Sequence, residues 1–307
     1  MAQAWDLIGD IHGFADDLVQ LLEKMGYELH DGMYRHPNRR VFFLGDFIDG
    51  GEQNRRVLDI VRPMVESGDA LAIMGNHEYN AICYHTQDPG NPNEYLRAHS
   101  PKNLGQHDKT LAEFKDDDVA LQDMIAWFST LPLFVELDGL RAVHACWDEV
   151  SIEWLRTRLG DRAVMTESFL VESCDKPNEA HAAVEAVLKG LEFELPDGIT
   201  FEDKYGQPRS EARLRWWLDD AAALDEMVIG PPALHASTAG YAADRSQLIG
   251  YAAQSSPVFF GHYWLTGEPA LQQANVACLD YSVARGGRLV AYRWDGEQAL
   301  DDSKFVW

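Results

Sequence analysis

What this chain lacks narrows the reading first. Its four cysteines, Cys83, Cys146, Cys174 and Cys278, are scattered, and no two form a Cys-x-x-Cys pair. That argues against a structural zinc site and against a disulfide framework, and it predicts reduced core thiols. No apolar run approaches the roughly 20 residues that cross a bilayer. The first residues also lack the basic-then-apolar order of a secretory signal. Cations are scarce: 26 Lys and Arg against 50 Asp and Glu leave a formal net charge of −24 over 307 residues. A surface that negative repels phosphate backbones, so nucleic acid is a poor partner. The expectation is a cytoplasmic protein without membrane association. What remains, 46% hydrophobic and 25% charged residues, suits a globular chain long enough to bury a real core.

Three clusters near the start carry the chemistry: Gly9-Asp10-Ile11-His12-Gly13, Gly45-Asp46-Phe47-Ile48-Asp49-Gly50 and Gly75-Asn76-His77-Glu78. Each follows a short apolar run, namely Trp5 to Ile8, Val41 to Leu44 and Leu71 to Met74. Such runs ended by glycine read as buried strands of an α/β sheet. Catalytic groups in open α/β sheets gather at the carboxyl ends of strands, where all three clusters fall. Ala15 to Met25 and Val57 to Val65 carry apolar residues at helical spacing, and Gly26 and Gly68 suit helix stops. The alternation predicts a parallel sheet with right-handed crossovers.

Beyond that the pattern loosens. Tyr79 to Phe114 is rich in Pro, Asn and His and reads as a long loop or cap beside the site, with His99 and His107 as candidate pocket-lining residues. Short strands return at Leu140 to Val143, before His144, and at Val258 to Phe260, before Gly261-His262. Asn275 to Leu279 and Leu289 to Trp294 read as strands around a turn at Ala284 to Gly287. Residues 151–256 are the least readable part, and Trp216-Trp217 within them suits a core position better than a stacking platform. Asp10, His12, Asp46, Asn76, His144 and His262 are candidate metal donors: mixed carboxylate, amide and imidazole ligands suit Mn, Fe, Zn, Ni or Co. Two such ions about 3.5–4 Å apart clamp an in-line displacement at phosphorus and acidify a bridging water. Asp46 is the natural bridge.

The order of these motifs resembles the calcineurin-like metallophosphoesterases, in the phosphoprotein phosphatase branch that includes serine/threonine phosphatases and diadenosine tetraphosphate hydrolases. The resemblance is continuous over about residues 5–80 and returns near 140–148 and 257–292. It implies an α/β fold, a four-layer α/β/β/α sandwich with a binuclear metal site at the carboxyl ends of the strands. Residues 1–307 would form a single domain with elaborations at about 80–130 and 150–255. It further implies that Asp10 and His12 hold one ion, that Asn76, His144 and His262 hold the other with Asp46 between them, and that Mn²⁺ is the expected metal. His77 would be the general acid oriented by Asp49, while Glu78 would support the loop.

Two positions depart from the family pattern. Gly50 stands where the family carries a phosphate-clamping Arg, and His144-Ala145-Cys146 replaces His-Gly-Gly. Arg213 and Arg215 are the favoured replacement cations, with Arg97 next and Arg55 behind them. The expected activity is hydrolysis of phosphomonoesters, phosphoserine or phosphothreonine in proteins among them, by attack of a metal-bridging hydroxide. Asp49 and the Glu that closes the third motif lean that way. Dinucleoside polyphosphate or other small-molecule phosphate hydrolysis is the alternative, and a degenerate phospho-binding protein the second. Partners would be phosphorylated proteins or small phosphoesters.

Overall fold

The computed structural model describes residues 4–202 and 208–307. Contacts divide the chain into two units, Met1–Leu188 with Ser256–Trp307, and Lys189–Ser255. The first unit carries all the sequence motifs. Its principal elements are β1 (Ala4–Ile8), α1 (Ala15–Lys24), β2 (Arg39–Phe43), α2 (Asn54–Glu66), β3 (Ala70–Ala72), α3 (Asn76–His85), α4 (Pro101–Phe114), α5 (Asp118–Phe128), β4 (Phe134–Leu137), β5 (Leu140–Val143), β6 (Val258–Phe260), β7 (Val276–Cys278), β8 (Ala291–Trp294) and β9 (Phe305–Val306).

Two sheets result. One runs β9-β8-β1-β2-β3 and the other β7-β6-β5-β4. β1, β2 and β3 are parallel, with Ile8 opposite Phe43 and Phe43 opposite Ala72. That register aligns their carboxyl ends, so the three motif loops leave the sheet side by side. β6 is likewise parallel to β5 and β7, which sends His144 and His262 out at one end.

Strand alternation explains the layering. Leu7, Phe42 and Leu44 join Leu140, Ala142, Phe259 and Ala277 in one buried cluster, so the inner faces of the sheets pack on each other. Ile8, Val41 and Phe43 point the other way and are also fully buried, which requires a helical cover. α1 and α2 supply it through Leu18, Leu22, Val57 and Val61, all buried along one helical stripe. The result is an α/β sandwich of two sheets packed face to face, with helices over the first.

Several sequence expectations change in detail. The stretch read as a long loop from Tyr79 to Phe114 is mostly ordered: α3 runs on to His85, a hairpin pairs Gln87–Asp88 with Asn91–Tyr95, and α4 follows. The helix was hidden because its buried positions, His107, Thr110 and Phe114, are polar in two cases out of three. The turn near 284–287 is a single 3-10 turn at Val283–Arg285. Three of the four cysteines are buried as expected, whereas Cys174 is half-buried, its Sγ 3.3 Å from that of Cys83.

The second unit has its own small core of Leu195, Ile199, Ala212, Leu214, Leu224, Met227, Val228 and Leu234. Its strands Glu192–Glu194, Glu211–Leu214 and Val228–Ile229 form one antiparallel sheet. Trp216 and Trp217 are buried there, edge to face at 5.8 Å, as a core reading requires.

Candidate metal centre

The donors converge where the strands end. Asp46 sits at the middle, 2% exposed, with its two oxygens turned to different neighbours. Oδ1 lies 3.4 Å from His144 Nε2, and Oδ2 lies 3.6 Å from His12 Nε2. His12, Asp46 and His77 bring ligand atoms within 4.8 Å of one another, and so do Asp46, His144 and His262. Asp10 Oδ2 is 3.9 Å from His12 Nε2, and Asn76 Oδ1 is 3.2 Å from His144 Nε2. All six sequence-derived donors therefore meet in one cluster.

Orientation is fixed from behind. His12 Nδ1 hydrogen-bonds the Ile48 carbonyl at 3.1 Å, and His144 Nδ1 the Leu44 carbonyl at 2.8 Å. A carbonyl can only accept, so Nδ1 donates in both rings and Nε2 is turned to the cluster, where the neutral ring has the tautomer a metal needs. The His262 amide donates to Asp10 Oδ2 at 2.9 Å. Asp10 Oδ1 and His12 Nε2 are buried and make no hydrogen bond within the described residues. Buried polar atoms are nearly always satisfied, so these orphaned lone pairs fit a cation.

Backbone close packing makes the convergence possible. A Cβ on Gly261 would lie 1.9 Å from Asp10 Oδ1, and one on Gly75 would lie 2.3 Å from Asp46 Oδ1. His12, Asp46, Asp49 and His262 all have positive φ, an unfavourable state for side-chain-bearing residues that clusters at functional sites. The motif loops are held by Glu78, whose buried carboxylate accepts from the Asp46, Phe47 and Gly75 amides at 2.7, 2.8 and 2.9 Å. Its expected support role is what the contacts describe.

The buried carboxylates and imidazoles shift one another's titration. Burial pushes the Asp10 carboxyl well up, reinforced by Asp280. Burial also acts on Asp46, but the His144 and His77 imidazoles outweigh it and hold that carboxyl well below the usual range. Burial lowers His144, and the Asp46 charge reverses this to about 10.

His77 differs from the rest. Its side chain is 19% exposed against 2% for His12, so it can meet a substrate atom. Its Nδ1 lies 2.7 Å from Asp49 Oδ2. Asp49 Oδ1 is shared by His107 Nδ1 at 2.7 Å and Thr110 Oγ1 at 2.6 Å, both from α4. His107 in turn meets His85, Nε2 to Nε2, at 3.2 Å. Sequence reasoning placed His107 in a pocket; it is turned inward to Asp49. His99 is held between the Tyr84 and Tyr95 rings, at 3.9 and 4.1 Å, with Nε2 on the Tyr84 carbonyl.

A calcineurin-like phosphoesterase family model matches residues 6–220, more than half of the chain. The chain belongs to the calcineurin-like phosphoesterase family. Among curated relatives of this phosphoesterase, an asymmetrical bis(5'-nucleosyl)-tetraphosphatase of Oceanobacillus iheyensis is 29% identical over 141 residues, 46% of this chain and 54% of the relative. Another from Halalkalibacterium halodurans is 42% identical over 74 residues, 24% of this chain and 30% of the relative. The chain therefore spans about half or less of the length of these two relatives. A symmetrical bis(5'-nucleosyl)-tetraphosphatase of a Marinomonas species is 25% identical over 95% of this chain and 94% of its own. A solved cold-active protein tyrosine phosphatase shares the fold at a TM-score of 0.53 and 16% identity, covering 98% of this chain and 81% of its own.

The candidate phosphate-binding cations are dispersed. Arg213 lies on the strand Glu211–Leu214 of the second unit and Arg215 just beyond it. Arg97 hydrogen-bonds Asn80 and Gln106 at 2.8 and 2.7 Å. Arg55 is paired with Asp117 at 3.0 Å and lies 4.1 Å over the Phe114 ring. Trp264, stacked on His12 at 5.4 Å, and Arg285, 4.2 Å over Trp264, were not singled out from sequence, since no spacing ties them to the motifs.

Proposed function

We propose that this phosphoesterase is a binuclear-metal-dependent hydrolase of phosphomonoesters, acting by in-line displacement at phosphorus. The observation that carries the reading is Asp46, one carboxylate with an oxygen toward each of two imidazole groups. Asp10, His12 and Asp46 would hold one ion, and Asp46, Asn76, His144 and His262 the other. Mn²⁺ is the expected ion, and Fe, Zn, Ni or Co would suit the same donors. When bound, the ions supply charge stabilisation for phosphoryl oxygens and an acidified water.

The chain's own residues do the rest. His77, partly exposed and fixed through Nδ1 by Asp49, holds a proton at Nε2 for the departing ester oxygen. Arg97, Arg213 and Arg215 remain candidates for contacts with more distant parts of a substrate. One catalytic domain over residues 1–307, with elaborations at about 80–130 and 150–255, working in the cytoplasm, completes the reading; no helix among the described residues is long and apolar enough to cross a membrane.

Dinucleoside polyphosphate hydrolysis is the second reading, favoured by a symmetrical tetraphosphatase relative aligned over 95% of this chain. The test is metal-stripped protein, with Mn²⁺ restored, assayed on p-nitrophenyl phosphate and on diadenosine tetraphosphate beside Asp46→Asn and His77→Asn. Turnover that needs metal, is abolished by Asp46→Asn and is reduced by His77→Asn is expected. Preference for the dinucleotide would move the assignment to the second reading, and two ADP, or ATP plus AMP, would tell symmetric from asymmetric cleavage. Absence of turnover on both, with metal bound, would leave a phospho-binding protein.

A further inference from the structure

We propose that Arg285 is the cation that grips the substrate's phosphoryl oxygens at this centre, a role that rests on the phosphoesterase reading above.

The argument begins at Gly50. A Cβ there would lie 2.6 Å from His12 Cβ and 2.8 Å from Ala284 Cβ. No side chain can grow from this position without displacing backbone, so the second motif loop cannot present a cation at residue 50. The space beside it is filled by Ala284, and the next residue is Arg285.

Arg285 is exposed, and its guanidinium lies 4.2 Å over the Trp264 ring. The Trp264 indole stacks on the His12 imidazole, ring centres 5.4 Å apart at 26°. Trp264 thus touches both a cation and a candidate metal ligand. Stacking holds a guanidinium by its face and leaves its N–H edges available, the edges that recognise phosphate bidentately.

This arrangement is anchored rather than incidental. Asp280, buried at 1% exposure, accepts from the Trp264 amide at 2.7 Å and from the Ser282 amide at 2.9 Å. Ser282 Oγ donates to the Leu265 carbonyl at 3.0 Å, and the Arg285 amide to the Ser282 carbonyl at 2.8 Å. One carboxylate therefore positions both the loop that carries Trp264 and the loop that carries Arg285.

Within the described residues Arg285 is in no ion pair, although the chain carries 50 acidic residues. Other cations around the second motif are engaged: Arg55 by Asp117, Arg56 by Asp16 and Lys109 by the Gly50 carbonyl. In a protein of net charge −24, an exposed guanidinium on an indole that itself stacks on His12 is a local attractor for an oxyanion. The ligand class is a phosphate monoester or a terminal phosphate group.

The test is calorimetric titration of Mn²⁺-loaded protein with inorganic phosphate, using wild type, Arg285→Gln, Arg285→Lys and, as a surface control, Arg288→Gln, which removes the pair with Glu268 and a contact with the Trp307 ring. Metal content and melting temperature are measured on each. The expected result is at least a tenfold loss of phosphate affinity in Arg285→Gln at unchanged metal content, partial recovery in Arg285→Lys, and wild-type affinity in Arg288→Gln. Equal affinity in wild type and Arg285→Gln, or no phosphate binding by wild type, overturns the proposal. Turnover separates it from the reading it rests on. Phosphate binding through Arg285 without ester hydrolysis keeps the grip and removes the catalysis. Undiminished hydrolysis and phosphate affinity in Arg285→Gln does the reverse.

Discussion

His77 and Asp49 meet at 2.7 Å, Nδ1 to Oδ2, and the other oxygen of the same carboxylate is occupied by His107 and Thr110 from α4. Burial presses the His77 pKa down, but the Asp46 and Asp49 charges more than compensate and hold it above its ordinary value. The acid form is therefore present below that raised pKa and lost as pH rises through it. Asp49→Asn removes one of the two anions, so the alkaline fall of kcat should begin at lower pH. A pH–rate profile with phenyl phosphate, whose leaving oxygen needs the proton, checks this; an alkaline limb that does not move would remove Asp49 from the acid's control.

Loss of the acid itself should depend on the leaving group. His77→Asn is expected to reduce turnover about 10²–10³-fold with phenyl phosphate, whose leaving oxygen needs the proton. The loss should be much smaller with p-nitrophenyl phosphate, whose phenolate departs unaided. Equal losses on both esters would assign His77 some other task.

Glu78 is a stability residue. Glu78→Ala would strip acceptors from the Asp46, Phe47 and Gly75 amides in a site with no exposure of the Glu78 side chain. Leaving buried donors unsatisfied should cost about 3 kcal/mol or more. Chemical denaturation of the metal-free protein measures it, and a change within 0.5 kcal/mol, the range usual for a surface substitution, would contradict the role.

Restoring the residue that the family pattern leads one to expect at position 50 should do harm. Gly50→Arg forces atoms against His12 and Ala284, at 2.6 and 2.8 Å for the Cβ alone. Overpacking of this kind costs about 1–3 kcal/mol, and here it would displace His12, a candidate metal ligand. A lower melting temperature and weaker Mn²⁺ binding are expected; a gain in activity would show that the loop yields.

Metal removal should leave a pH-dependent protein. Burial lowers the His144 pKa, yet Asp46 lifts it to about 10 against an ordinary 6.5. The stability that this charge confers is fully present below about pH 6.5 and is lost as pH rises toward 10. Metal-free protein should therefore become less stable from pH 7 to 10, while Mn²⁺ binding strengthens over the same range because the proton no longer competes. Thermal melts with and without Mn²⁺ would show the two trends; parallel curves would contradict them.

The first half of the site was legible because the candidate donors Asp10, Asp46 and Asn76 each sit two residues past an apolar run and His12 four, a pattern that strand periodicity and glycine punctuation expose. α4 was not, because the face it buries is written in His107 and Thr110, which face a carboxylate rather than an apolar core. Hydrophobic spacing is blind to a helix docked by hydrogen bonds. Trp264 and Arg285 were invisible for a related reason: their relation to His12 runs through space, across more than 250 residues of chain.

By itself the sequence determined the donor types, their order and their places at strand ends, because these follow from local periodicity and the chemistry of the side chains. Only the tertiary structure decided how they are shared. It gave Asp46 two groups of imidazoles and Asp49 two histidines, one 28 and the other 58 residues away. It also filled the space at Gly50 with Ala284. Those outcomes depend on parallel register and on loops from distant strands competing for the same few ångströms, which no spacing along one chain records.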